Sequence, residues 1–487
     1  MKNLKIRLVS AFFMAAAMLC GTAKAENVDL QTAKQIGAYY FTMATEAKAP
    51  ITADKLELVQ QFDNPTLCIP ALYCFNVADN GFVVISASDC AEPVLAYSPE
   101  GRLDEANMNP ACRYMLESYA RLVSDNQNNN ASQTPAVRAK WNELYEQTLV
   151  VEPATKGVLV QAKWDQGDPE YPSYNIMCPM QDGKHCYVGC VATAMAMIMH
   201  YWKYPVKGGG GPDGNTANWT WHNQNIKYKF AVDSNKFVFD SMPNQISYYS
   251  DWNYKRAIGK LGFAAGVTVK MDWGLDGSGA QSKDVPKAFY NWFRYSTDAV
   301  YTQRQGVPDA SWVSMLREEI VTNARPVYYS AYDPHGSGRD AAGHAFVIAG
   351  ASNNDNNKFY IRWGWNGSGD GFFTLAPASS IASAGGYTFS SGHAMVRRIY
   401  PASSVGIDEN TSYTAAMAYP NPATDYIMVP VTMTMDGVLA IYSIDGKLLE
   451  TKIVPAGTSE YRLDLQGYAP GTYVYRMNGD VVKFTVQ

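Results

Sequence analysis

The chain begins with an apolar run, about Leu8 to Cys20, set behind Lys2, Lys5 and Arg7 and ahead of Ala23-Lys24-Ala25. This order of charge, apolar run and small residues reads as a secretory signal cleaved after Ala25. The run is shorter than the roughly 20 residues a bilayer span requires, and no later stretch is longer, so no membrane span is expected after signal removal. A lipid anchor at Cys20 is disfavoured by the bulky Leu19 before it. The pattern then predicts a helix over Thr32 to Ala47 and a hairpin of Tyr73–Val77 and Gly81–Ser86 joined by Ala78-Asp79-Asn80. Met108 to Val123 and Val137–Thr148 read as helices. The polar stretch Ser124–Gln133 between them reads as an exposed loop. Val158-Leu159-Val160 is strand-like, and everything after Ser403 has a β pattern, with Tyr426–Val431 and Val438–Tyr442 as strands and Asp445-Gly446 as a turn.

A length of 487 residues suggests three domains, at roughly 150 residues each. With 47% hydrophobic and 17% charged residues, the chain can bury real cores. The net charge of -5 and the lack of a long basic run argue against a nucleic-acid partner. Of the eight cysteines, Cys20 leaves with the signal, and none follows Cys190. Exported thiols tend to pair. The cluster Cys178, Cys186 and Cys190 is odd in number, so one thiol can stay free. Pairing of Cys178 with Cys186 is one way to leave Cys190 free.

Tyr187-Val188-Gly189-Cys190 leads into the apolar run Val191 to Trp202, rich in the helix formers Ala and Met. Cys190 therefore falls at a helix N-terminus, where free N–H groups favour an anion and a thiolate is easier to form. A buried structural cysteine is the plain alternative. A zinc site built on His185, Cys186 and Cys190 lacks a fourth ligand and usual spacing, so no metal is expected. The base is a histidine from elsewhere. His200 lies ten positions along the same helix, about 15 Å away at 1.5 Å per residue. His344 opens the apolar strand Gly343-His344-Ala345-Phe346-Val347-Ile348 after a polar loop, Tyr332–Ala342, and a strand mouth holds a side chain rigidly over a cleft. A satisfied core histidine is the alternative at this position.

Four segments in order resemble the streptopain family of cysteine peptidases. They are Trp164-Asp165-Gln166-Gly167-Asp168-Pro169, Gly189-Cys190-Val191-Ala192-Thr193-Ala194, the His344 strand, and Trp363-Gly364-Trp365 followed by Asp370-Gly371-Phe372-Phe373. Met271-Asp272-Trp273-Gly274 through Gly279 resembles a loop lining that family's substrate cleft. The resemblance implies a papain-like α+β catalytic domain with two subdomains. It also implies Cys190 as nucleophile, His344 as base, Gln166 as oxyanion donor, and Trp363 beside them. Arg362 stands where family members often carry Asn. The group that orients His344 must then come from elsewhere, with Trp363 and Asn366 as candidates.

Tyr73-Cys74-Phe75-Asn76, Gly81 to Ser86 and Leu95-Ala96-Tyr97-Ser98 resemble the family's inhibitory prodomain. Tyr419-Pro420-Asn421-Pro422, Gly471-Thr472-Tyr473 and Val482-Lys483-Phe484 resemble the sorting domain of the type IX secretion system. The expected division is a signal over 1–25, a small α+β prodomain over 26–156, a peptidase over 157–401, and a linker with a small all-β sandwich over 402–487. The reading is a secreted or cell-surface cysteine endopeptidase, exported through the periplasm and made as a zymogen. Protein or peptide substrates, its own prodomain and the type IX machinery are its partners, and no cofactor is called for. A dead peptidase fold used for surface binding, or an acyl transferase or amidase on the same fold, are the alternatives. Activating cuts are expected in Ser124–Gln133 and near Pro153–Gly157, the last at Lys156-Gly157.

Overall fold

The computed structural model describes residues 26–45, 47, 49–78, 80–149, 158–208, 214–230, 233–331, 343–352, 355–376, 392–402, 418–431, 437–444, 448–455, 457–477 and 480–487. The signal, the 150–157 boundary with its Lys156-Gly157 cut, the 332–342 loop, Asp79, the linker after Ser403 and the Asp445-Gly446 turn lie outside the described residues.

Helix α1 (Leu30–Ala44) starts where the Asp29 carboxylate accepts the N–H groups of Gln31 and Thr32, satisfying donors a helix start leaves unpaired. Its buried stripe, Ala33, Ile36, Gly37, Tyr40, Phe41 and Ala44, has helical spacing and covers one face of a sheet. That sheet begins with β1 (Leu56–Asn64), β2 (Ile69–Val77), β3 (Phe82–Ser86) and β4 (Val94–Ser98). Helices α2 (Pro110–Asn128) and α3 (Pro135–Tyr145) follow. Each has a capping side chain, Asn109 or Thr134, and a proline at its first turn. Next come the short hairpin β5 (Met180–Gln181) and β6 (Lys184–His185), α4 (Cys190–Trp202), β7 (Thr216–Trp221), β8 (Gln224–Lys229), α5 (Trp252–Thr268), α6 (Val285–Phe293), β9 (Val300–Gln303) and α7 (Asp309–Arg317). The central strands are β10 (Val327–Ala331), β11 (His344–Ala351), β12 (Lys358–Arg362), β13 (Gly371–Thr374) and β14 (Ala394–Arg397).

The predicted hairpin forms, with Asn76 opposite Phe82. It belongs to a ten-stranded sheet in the order β1-β2-β3-β4-β13-β12-β11-β10-β14-β9. The expected prodomain and peptidase thus share one sheet, joined where Tyr97 faces Phe372 and Ala96 faces Phe373. The Tyr97 and Phe372 rings stack at 5.2 Å. Tyr119 Oη donates to Thr374 O at 2.7 Å. Behind the junction, Lys358 and Lys140 lie 2.7 and 3.3 Å from Asp355, and Lys140 lies 3.0 Å from Glu92. Burial works against the Asp355 charge, but the two lysines outweigh it and hold the carboxyl well below the usual range.

The C-terminal region is a separate β-sandwich: β15 (Tyr426–Pro430) pairs with β18 (Glu460–Asp464), and β17 (Leu448–Val454), β16 (Gly437–Ser443), β19 (Gly471–Met477) and β20 (Asp480–Val486) form the facing sheet. Ile427, Val429, Ile441, Leu463 and Phe484 make its own core. It packs on the rest of the chain through Ala440, Val438 and Tyr442 of β16 and through the Arg476 guanidinium, 3.8 Å over the Trp202 ring.

Two expectations are corrected. Val158 to Val160 is buried but is not a ladder strand; Leu159 N–H donates to Ala349 O at 2.6 Å, beside β11. The Asn-rich stretch is a loop only in its second half, where Asn129 to Gln133 leave the helix and Asn129 and Asn130 are exposed. Its first five residues, Ser124 to Asn128, continue α2, with Ser124, Asn126 and Gln127 buried. Asn64 Nδ2 donates to Ser124 O, Gln127 Oε1 and Asn128 Oδ1 at 3.1–3.2 Å, and Gln127 Nε2 donates to Pro70 O at 2.8 Å. Amides that look like solvent-facing residues in sequence are fastening α2 to the β1–β2 turn. Limited thermolysin digestion of the native full chain, followed by mass spectrometry, should therefore show no early cut between Ser124 and Asn128. An early cut there contradicts this packing.

Candidate active site

Helix α4 is buried along nearly its whole length because it lies between β11 and α5. Its first residue is Cys190. Gly189, just before it, has φ +88, and a Cβ there would meet Met271 Sδ at 2.7 Å. Glycine is the residue that tolerates both conditions. The loop holding Met271 is tied to the same segment. Tyr187 N–H donates to Gly274 O at 3.2 Å, and Ser278 Oγ donates to Tyr187 O at 2.7 Å. Trp219 and Trp221 brace that loop through indole bonds to Met271 O and Trp273 O.

His344 is the first residue of β11, opposite Ala331 on β10. Cys190, His344 and Gln166 line one cleft of about 1460 Å³, together with Trp365 and the 272–284 loop. Gln166 is drawn toward the turn before Cys190 by its backbone, since Val188 N–H donates to Gln166 O at 2.9 Å. Pro110, the first residue of α2, reaches the same cleft from the N-terminal region.

Burial raises the Cys190 thiol above its ordinary value, opposed by the N–H groups of Ala345, Val191 and Cys190 that point at the sulfur. Because Ala345 follows His344, this contact brings sulfur to the mouth of β11. Burial lowers His344 to about 4.

Trp363 is placed elsewhere. It is fully buried, donates from Nε1 to Gly369 O at 2.9 Å, and packs on Phe346 and Phe373. Trp365, two residues on, reaches the cleft and meets the His344 ring edge-on at 5.7 Å. The W-G-W motif contained this contact, but nothing in it marks which indole faces the site. Asn366 Oδ1 accepts from Tyr174 Oη at 3.2 Å. Arg362 is buried, 2.9 Å from Asp370, with Nε donating to Val160 O; Asp370 also accepts the Trp363 N–H at 2.9 Å.

The other histidines are engaged away from the cleft or at its rim. His200 Nε2 lies 2.8 Å from Met242 O. His222 is exposed, 3.9 Å from Asp272. His393 Nδ1 lies 2.9 Å from Tyr329 Oη. His335 lies outside the described residues. All seven cysteines after Cys20 are unbridged. Among the described residues, no three or more His, Cys, Asp or Glu cluster as a metal site, and no helix is long and apolar enough to cross a membrane.

Known proteins are consistent with this arrangement. The model of the Peptidase C10 family matches residues 164–373, that of the Spi protease inhibitor matches 25–123, and that of the secretion system C-terminal sorting domain matches 417–487. Streptopain of Streptococcus pyogenes serotype M28 is 27% identical over 414 residues, covering 77% of this chain and 92% of that protein. The thiol protease/hemagglutinin PrtT of Porphyromonas gingivalis is 30% identical over 342 residues, covering 68% of this chain and 37% of that protein. Among solved structures, a mutant fragment of Prevotella intermedia prointerpain A superposes with a TM-score of 0.54 at 25% identity, covering 71% of this chain and 98% of that one. The papain-like α+β fold, with an N-terminal inhibitory region and a C-terminal sorting region, agrees with these likenesses.

The raised Cys190 thiol leads to a pH prediction. In the intact full chain, iodoacetamide labelling of Cys190, followed on its own peptide by mass spectrometry, should stay slow at pH 7 and climb as the pH rises past the ordinary thiol value. A rate already at its plateau by pH 7 contradicts the burial described here.

Proposed function

We propose that this chain, a streptopain-like cysteine peptidase carrying an inhibitor-type N-terminal domain and an export-sorting C-terminal domain, hydrolyses peptide bonds through a Cys190–His344 dyad once residues 26–156 are removed. The observation that carries this reading is the meeting of an α4 N-terminus with the mouth of β11, which puts the Cys190 sulfur against the Ala345 N–H in a cleft that His344 and Gln166 also line.

His344 takes the thiol proton, and the Cys190 thiolate attacks the scissile carbonyl carbon. The oxyanion that forms is held by the Gln166 carboxamide and the Cys190 N–H, a donor of the first helical turn. Collapse breaks the C–N bond as His344 protonates the leaving amine. Water, deprotonated by His344, then attacks the thioester, and the acid leaves as Cys190 regains its proton. The edge-on Trp365 ring holds the imidazole plane, a role that sequence had offered to Trp363 or Asn366.

The N-terminal region restrains this chemistry at the cleft itself. Pro110, the first residue of α2, lines one side of the cleft, and the docked sheet holds it there. The β4–β13 pairing and the Lys358–Asp355–Lys140–Glu92 cluster fasten it in place. The proposed division is a signal over 1–25, inhibitory region over 26–156, peptidase over 157–401, and linker and sorting domain over 402–487. Secretion or display at the cell surface follows from the sorting-domain match.

Cys190→Ala and His344→Ala should each abolish casein cleavage and leave a stable full-length chain, while His222→Ala keeps its activity. Undiminished cleavage by Cys190→Ala refutes the nucleophile. N-terminal sequencing of the active enzyme should begin within a few residues of Gly157, and separately made 26–156 should inhibit it in trans. Active enzyme that keeps residues 26–156 covalently intact refutes the zymogen reading alone.

A further inference from the structure

The loop that carries Gln166 has no regular secondary structure, yet an oxyanion donor is useful only if its position is fixed to a fraction of an ångström. Asn175 lies directly beneath it with no exposed surface. All of its amide chemistry is used within this site. Oδ1 accepts the Ser173 N–H at 3.2 Å, and Nδ2 donates to Asp168 O at 3.1 Å and to His185 O at 3.3 Å. The first and second bonds close the 168–175 turn on itself. The third ties that turn to β6, five residues before Cys190.

Gly167 lies flat on the same carboxamide. Its φ is +83, and a Cβ at that position would overlap the Asn175 side chain. On the other side of Gln166, the half-buried Asp165 carboxylate accepts the Gln166 N–H at 2.5 Å and also receives the Gly167 N–H. Gln166 is thus gripped from both sides, by Asp165 before it and by the Asn175-held turn after it. The turn reaches the chain that enters α4 through Asn175 and His185 O, and Gln166 O itself accepts the Val188 N–H at 2.9 Å.

We infer that Asn175 is a positioning residue for the reaction: it holds the Gln166 loop at a set distance from Cys190 by bridging Asp168 and His185. The inference rests on the reading of Gln166 as an oxyanion donor. Asn175 touches no reacting atom, so its effect must pass through Gln166. A residue needed only for folding would lower stability without this dependence.

The experiment is a double-mutant cycle on the full chain, activated by immobilised wild-type enzyme that is then removed. The variants are Asn175→Ala, Gln166→Ala and the pair, with kcat and KM measured on a peptide amide. Inhibition by a peptide aldehyde, whose adduct carries an oxyanion, is measured alongside. Asn175→Ala should lower kcat about 10–100-fold and leave KM within about twofold. It should weaken the aldehyde by the same factor as kcat, and leave Cys190 alkylation by iodoacetamide, which forms no oxyanion, near the wild-type rate. The double variant should be no slower than Gln166→Ala. Asn175→Asp, isosteric but without the two donated bonds, should show the same loss and serves if the alanine variant melts early. A kcat within twofold of wild type for both Asn175 variants overturns the inference, as does multiplication of the two losses in the pair. Wild-type rates for Gln166→Ala overturn the underlying reading of Gln166 itself, an outcome separable from the first two.

Discussion

Helix α4 has almost no polar face, and most of what surrounds the site follows from that. From Val191 to Trp202 every side chain but His200 is buried, so the helix must be enclosed, and β11 and α5 enclose it. An enclosed helix has its ends fixed as firmly as its middle. Its N-terminus is the part that opens onto the cleft, and Cys190 occupies it. Strand β11 is apolar for the same reason, and its polar first residue, His344, opens onto the cleft as well. The two residues of the proposed dyad thereby sit at the ends of elements whose bodies cannot move without opening the core.

The second organising contact is the shared sheet. Strands β4 and β13 pair over a short register, and the stacked Tyr97 and Phe372 rings extend that contact sideways. The charged cluster behind it is largely buried, with Glu92 and Lys358 nearly inaccessible. Buried charges are costly when left alone and tolerable when paired. Glu92 pairs with Lys140 and Asp355 with Lys358 within their own regions, and the cluster closes across the docking through Lys140 to Asp355 at 3.3 Å and Lys358 to Glu92 at 3.9 Å. Arg362 and Asp370 repeat this logic inside the peptidase, where they also hold the turn that carries Trp363 and Trp365.

How much of this was legible in the sequence depends on range. The helix start at Cys190 and the strand start at His344 could be seen because each depends on local periodicity. The β2–β3 hairpin was visible for the same reason. The Asn-rich stretch was misread because composition reports a side chain's polarity and not its partner: Asn64 and Pro70, some 60 residues away, turn those amides into core groups. The strand-like Val158–Val160 run misled in the opposite sense, since burial beside β11 does not require membership in the ladder. Trp363 and Trp365 could not be told apart because Gly364, at φ +84, breaks the alternation that would assign their faces. Asn175 gave no signal, being one polar residue in a polar loop whose three bonds exist only after folding.

The brevity of β13 has a bearing on the activated form proposed above, in which the N-terminal region is removed. Removing β1 to β4 turns an interior strand into a sheet edge, with a row of unpaired N–H and C=O groups beside Phe372 and Phe373. Long, flat, apolar edges recruit strands from other molecules. At four residues, Gly371–Thr374 is too short to template much pairing, and Gly371 weakens one end of it. A longer β13 would hold the inhibitor more tightly but leave the processed enzyme prone to self-association in the protein-rich surroundings where a secreted peptidase works. The strand's length balances a firm grip before cleavage against solubility after it.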